Sequence, residues 1–125
     1  MRKDFKYIIL AHQNGLYEFK CGFVFRHFDL LEFGYEEKDI LGGGKFRFDP
    51  GRKSIILYDR SADYGSPRDL GQILKKCYED VRNCLAEEFT WHFSKTEEDL
   101  PEDWDICYQD ITGRIYDAKT GKEKL

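Results

Sequence analysis

The chain has 125 residues, which is long enough for one hydrophobic core and too short for two ordinary domains. Hydrophobic residues make up 41% of it and include 10 Phe and 8 Tyr, so we expect a packed domain rather than a disordered chain. The net charge is −4 and no strongly basic block occurs, which argues against a protein that binds nucleic acid by neutralising phosphates.

The N-terminal stretch MRKDFKYIILAHQ has only a short apolar run before His12, too short for a signal-peptide core or a membrane span. We therefore expect a cytoplasmic protein with no membrane partner. The four cysteines show no C-x-x-C spacing, and we expect them to be reduced packing residues: Cys21, Cys77, Cys84 and Cys107. Cys and His do not cluster as metal ligands do, so we predict no metal and no cofactor.

Two β-hairpins are predicted in the first half of the chain. KYIILAH and LYEFKCG are strand-like runs around an Asn14-Gly15 turn, the strongest short hairpin signal in a sequence. ILGGGKFRF and SIILYD are joined by DPGRK, whose Asp, Pro and Gly favour a second turn. Between the hairpins, residues 23–33 fit neither strand nor helix periodicity cleanly, and we favour a short helix from about Phe28.

A longer helix is predicted from Ser66. We expect Ser66 to cap it, Pro67 to lie in its first turn and Asp69 to act as a capping-box carboxylate. One stripe of the helix is apolar and should face the core: Leu70, Ile73, Leu74, Cys77, Tyr78, Val81 and Leu85.

The sequence EFTWHF alternates aromatic and polar residues and predicts a half-buried strand, with His92 facing away from the aromatic side. Residues 94–125 hold 9 acidic and 5 basic residues, whereas residues 1–93 hold 15 of each. We therefore divide the chain into a domain of residues 1–93 and an acidic C-terminal extension, 94–125, with a small hairpin around Thr112-Gly113 and a role in binding a protein partner.

These elements predict a mixed α/β fold of the α+β type. We expect a mixed sheet of about five to six strands, built from the two hairpins and flanked by one short and one long helix. The loop DRSADYG would lead directly into the N-terminus of the long helix, where free N–H groups and the helix dipole can hold an anion such as phosphate.

The order of these motifs resembles the Janus/Ocnus family, which includes a phosphohistidine phosphatase. The resemblance covers roughly residues 5–93 and rests on FKY, FRHFDLL, LGGGK, S-x-x-Y-G ahead of a helix, and FTW. It implies a metal-free phosphatase that acts on phosphorylated histidine or lysine side chains. The partner it implies is accordingly a phosphorylated protein or a small phosphoramidate.

The resemblance also implies roles for individual residues. The catalytic histidine of the family falls on His27, as general base or nucleophile. The cationic phosphate ligands fall on Lys6 and on Lys45, where the family typically has arginine. The substrate-binding loop and the glycine strand fall on Ser61, Ala62, Asp63, Gly43 and Gly44.

The residues by themselves leave other roles open. His27 also fits a packing role beside Phe25 and Phe28, and Lys6 and Lys45 also fit solvated cations on strand faces. The triple glycine also fits a β-bulge or a closely packed helix. A non-catalytic domain of the same fold that binds a partner protein is therefore the alternative function.

Overall fold

The structure, a computed structural model, describes residues 2–96 and 98–124, and these form a six-stranded mixed sheet with α-helices on one face. The strands lie in the order β2-β1-β3-β4-β5-β6, in which β4 and β5 are parallel and the other neighbours antiparallel. This architecture confirms the predicted fold class. The strands are β1 Asp4–Ala11, β2 Tyr17–Val24, β3 Ile40–Asp49, β4 Ser54–Tyr58, β5 Asp105–Gln109 and β6 Ile115–Asp117.

Both predicted hairpins are present. β1 and β2 are joined through Asn14 and Gly15, and Gly15 has a φ of 82°, a conformation that glycine adopts without steric cost. β3 and β4 are joined through the Asp49–Lys53 turn, in which the Arg52 amide donates to the Asp49 carbonyl at 3.2 Å. The segment between the hairpins contains two 3-10 helices, His27–Leu30 and Glu37–Asp39, so the predicted short helix begins one residue earlier and has 3-10 geometry.

The helical layer consists of α1 Leu70–Lys76 and α2 Tyr78–Glu88, with a break at Cys77. The predicted apolar stripe faces the core, where Ile73, Leu74, Val81 and Leu85 are all buried. The predicted start at Ser66 is wrong, because α1 begins at Leu70 and its N-cap residue makes no capping side-chain bond.

The prediction of a strand at EFTWHF is also wrong. Glu88 ends α2 and Phe89–Ser94 continues it as a π-helix. Phe89 and Phe93, four residues apart, pack together with ring centroids 5.0 Å apart, while Trp91 between them is 79% exposed. His92 does not face away from the aromatic residues, since its ring packs against Phe5 and Phe23.

The segment 94–125 contributes to the sheet and to the main core. β5 pairs with β4 and β6 pairs with β5, which places the predicted hairpin around Thr112-Gly113 at one edge of the sheet. Leu100 and Trp104 are buried, and the Trp104 ring lies 5.0 Å from that of Phe89. Four acidic residues around Leu100 and before Trp104 are exposed: Glu98, Asp99, Glu102 and Asp103.

The two faces of the sheet bury different residues. Tyr7 and Ile9 of β1 pack in the main core under the α-helices, whereas Ile8 and Leu10 pack against Leu30 on the opposite face. Because side chains alternate along a strand, Lys6 lies on the same face as Ile8, away from the α-helices. Lys45 is the direct partner of Lys6 across the β1–β3 pair and therefore shares that face.

Candidate functional site

His27 lies at the start of the first 3-10 helix, against the glycine strand. Its side chain is 7% exposed, and its Nε2–H donates to the Gly44 carbonyl at 2.9 Å. Because a carbonyl can only accept, this bond places the proton of the neutral ring on Nε2 and leaves Nδ1 with a free lone pair. The Asp29 carboxylate accepts from the Arg26 amide at 2.9 Å, so Gly44, and not Asp29, orients the ring.

The three glycines of β3 are required because other parts of the chain pass very close to them. A Cβ atom on Gly43 would lie 3.0 Å from Cδ2 of His27 and 2.3 Å from the Tyr7 carbonyl oxygen. A Cβ on Gly42 would lie 2.8 Å from Pro67, and one on Gly44 would lie 2.7 Å from the Tyr58 carbonyl oxygen. The close approach of β1, of the histidine ring, and of the chain at and beyond the end of β4 therefore explains the triplet, which the sequence left open between a bulge and close packing.

The same contacts explain why the long helix does not begin at Ser66. The Gly43 amide donates to the Gly65 carbonyl at 2.9 Å, and the Ser61 amide donates to the Gly43 carbonyl at 2.8 Å. These hydrogen bonds hold residues 61–67 against β3, and α1 begins only where the chain has left that strand. The loop therefore does not lead directly into a helix N-terminus as the sequence suggested.

Burial lowers the pKa of His27 below its usual value near 6.5. The bond to Gly44 opposes this shift, the nearby charges of Lys6 and Lys45 add to it, and the Asp63 carboxylate opposes it. The balance favours the neutral ring at pH 7. A neutral imidazole with a free Nδ1 can accept a proton or act as a nucleophile.

The two lysines lie next to the ring but are engaged with neighbouring groups. Lys6 Nζ donates to the Phe25 carbonyl. Lys45 Nζ lies 3.3 Å from Oδ2 of Asp4 and 4.0 Å from Oδ2 of Asp59. Because these pairs are partly exposed, an incoming anion can compete for the ammonium groups at modest cost.

The loop Ser61–Gly65 uses most of its polar groups internally. Ser61 Oγ accepts from the amides of Asp63 and Tyr64 at 3.3 and 3.2 Å, and the Gly65 amide donates to the Ser61 carbonyl at 2.9 Å. Of the three predicted donors, Ser61 and Asp63 have occupied amides, while the exposed Ala62 has an amide with no backbone partner among the residues described. The loop can offer an anion the Ala62 amide directly.

The structure brings together His27, Lys6, Lys45, Gly43, Gly44 and the loop from Ser61 to Asp63, and we call this set the His27 site. Sequence reasoning missed two of its carboxylates, Asp4 and Asp59. Asp4 could have been found, since it lies two residues before Lys6 on a strand and therefore on the same face. Asp59 could not, because it follows the last residue of β4 and itself has a φ of 60°, which the sequence does not indicate for an aspartate.

Comparisons with known proteins identify no relative: no family model matches the chain, and no curated protein or solved structure is significantly similar to it. Within the described ranges, no three His, Cys, Asp or Glu side chains are grouped so that they could hold a metal ion. Over the same ranges, no helix has the length and apolar character needed to cross a membrane.

Proposed function

We propose that the protein is a metal-independent phosphatase-like enzyme that hydrolyses phosphohistidine or a related phosphoramidate at the His27 site. The observation that supports this proposal is the fixed ring of His27, held by Gly44 through Nε2–H beside the charges of Lys6 and Lys45. A base or nucleophile in a fixed tautomer next to two cations is the arrangement that phosphoryl transfer needs.

The residues have separate roles in this mechanism. Lys6 and Lys45 stabilise the negative charge on the phosphoryl oxygens, with the Ala62 amide as a further donor. Nδ1 of His27 either takes a proton from the attacking water or attacks phosphorus to form a phosphorylated histidine that water then releases. In both routes the P–N bond breaks and the leaving nitrogen takes a proton.

The test is hydrolysis of a phosphoramidate and of a phosphohistidine peptide by the wild type and by His27→Gln. We expect the variant to lose at least about 100-fold in rate, the usual contribution of a positioned acid or base. His12→Gln is the matched control, because His12 is half-exposed, follows the C-terminal end of β1 and pairs with Glu18 of β2 rather than with any group of the His27 site. Circular dichroism of each variant separates loss of chemistry from loss of folding.

The alternative function is a non-catalytic domain that binds a partner protein. It is favoured by the carboxylates of Asp4, Asp59 and Asp63, which offset the two lysines and oppose a phosphate ligand. It is also favoured by Phe25 and Phe28, which flank His27 and are 44% and 47% exposed. If the wild type and His27→Gln bind phosphate equally and neither hydrolyses the substrates, the binding function replaces the catalytic one.

A further inference from the structure

We propose that Cys21 and Cys84 form an oxidation site at which hydrogen peroxide converts two thiols into an intramolecular disulfide. Cys21 lies in the edge strand β2 and Cys84 in α2, and their sulfur atoms are 2.9 Å apart. One thiol donates a hydrogen bond to the other. The two residues are 63 positions apart in the sequence, so the fold alone brings them together.

The packing of α2 on β2 holds the two sulfurs in place. One helical turn before Cys84, the Asp80 carboxylate accepts from the Phe19 amide of β2 at 2.7 Å. One turn after Cys84, Glu88 lies so near Gly22 that a Cβ there would be 3.3 Å from its Oε1. Contacts one turn before and one turn after Cys84 therefore hold α2 against β2. A disulfide bond of about 2.05 Å requires the two sulfur atoms to approach each other by less than about 1 Å.

The cysteine pair lies in a cleft that a small oxidant can enter, and the charge of the cleft favours an uncharged oxidant over an anionic one. Both cysteines are half-buried and line a surface cleft. The other charged residues of this cleft are mainly acidic: Asp29, Glu32, Asp80 and Glu87, against Lys20. Negative charge around the opening disfavours an anionic oxidant such as glutathione disulfide, whereas uncharged hydrogen peroxide is not repelled.

The reaction balances with the two thiols as the reductant. Burial and the contact with Cys84 raise the pKa of the Cys21 thiol, so Cys84 supplies the attacking sulfur. As its thiolate, it attacks an oxygen of hydrogen peroxide, the O–O bond breaks, and hydroxide leaves and takes up the released proton to become water. The sulfenic acid so formed is attacked by the second sulfur, its S–O bond breaks, and the second thiol's proton leaves with the oxygen as water. Two thiols lose two electrons and two protons, and one peroxide becomes two waters.

The experiment treats the folded wild-type protein with hydrogen peroxide and counts thiols after denaturation. The chain has four thiols, and we expect the count to fall to two, with a peptide pair linked through Cys21 and Cys84 in non-reducing mass spectrometry. Glutathione disulfide at the same concentration should give a slower loss.

The chain offers matched controls. Cys84→Ser should keep its three thiols without forming the linked peptide, whereas Cys77→Ala, which alters a buried cysteine, should still lose two of its three. Cys21→Ala gives a second test of the pair if Cys84→Ser unfolds. Disulfides between separate chains, oxidation of single cysteines without a link, or four surviving thiols would each overturn the proposal.

Discussion

Replacement of Gly43 by alanine tests the account of the glycine strand most directly. The new Cβ would lie 2.3 Å from the carbonyl oxygen of Tyr7, in the neighbouring strand β1, and 3.0 Å from the ring of His27. The first contact joins the new Cβ, whose position is fixed by the backbone of β3, to a main-chain oxygen, so a change of rotamer cannot relieve it. To reach ordinary contact distance, β1 and β3 must separate by roughly 1 Å at the centre of the sheet.

Overpacking that only shifts side chains costs about 1 to 3 kcal/mol, and separating the strands also weakens ladder hydrogen bonds worth about 1 kcal/mol each. We therefore expect Gly43→Ala to lower the free energy of unfolding by about 3 kcal/mol or more, measured by urea denaturation. Gly51→Ala is the control, because its Cβ would meet only Asp49 Oδ1, at 3.5 Å, and should change stability by less than about 0.5 kcal/mol. Equal stabilities of the two variants would refute the reasoning.

Three other predictions follow from the fold and its buried groups. Phe89→Ala should lower the free energy of unfolding by about 3 to 5 kcal/mol, and Trp91→Ala by less than about 0.5 kcal/mol, because the Phe89 side chain is 5% exposed and that of Trp91 is 79% exposed. Urea denaturation measures both values, and similar losses of stability would contradict the π-helix. The pKa of His27 is lowered below 6.5 in the folded protein, so the unfolded chain binds more protons at acidic pH. The free energy of unfolding that comes from the neutral ring should therefore be complete above pH 6.5 and decrease as the pH falls below it. His27→Gln should lack this contribution to the pH dependence. Oxidation that links Cys21 to Cys84 should raise the free energy of unfolding by about 4 kcal/mol, from closure of a loop of 63 residues, and reduction should reverse it.

Local patterns predicted the hairpins well because their turns are specified by a few adjacent residues. The Asn14-Gly15 pair needs only the positive φ of glycine, which the structure shows at 82°. The same local reasoning failed at Phe89–Ser94. There the aromatic side chains fit a period of two, but the pair spaced by four, Phe89 and Phe93, packs on Trp104 from a distant segment. A contact with a residue of the C-terminal segment cannot be read from periodicity within six residues.

The candidate site could be predicted in part. The family resemblance points to Lys6, Lys45 and His27, and these three residues lie together on the face of the sheet away from the α-helices. The contacts of the two lysines with Asp59 and with the Phe25 carbonyl could not be predicted, because both groups lie in turns outside the regular elements. The occupied amides of the Ser61 loop escaped prediction for the same reason, since their partners lie on the glycine strand or within the loop itself.

The parallel pairing of β4 with β5 has a consequence for synthesis on the ribosome. β4 ends at Tyr58, but its second neighbour starts at Asp105, after the whole helical layer has been made. Until then the growing chain presents the N–H and C=O groups of β4 as an open edge, which invites pairing with other nascent chains. Completion of the sheet therefore waits until β5, Asp105–Gln109, has left the ribosome, and conditions that delay this step should favour aggregation over folding.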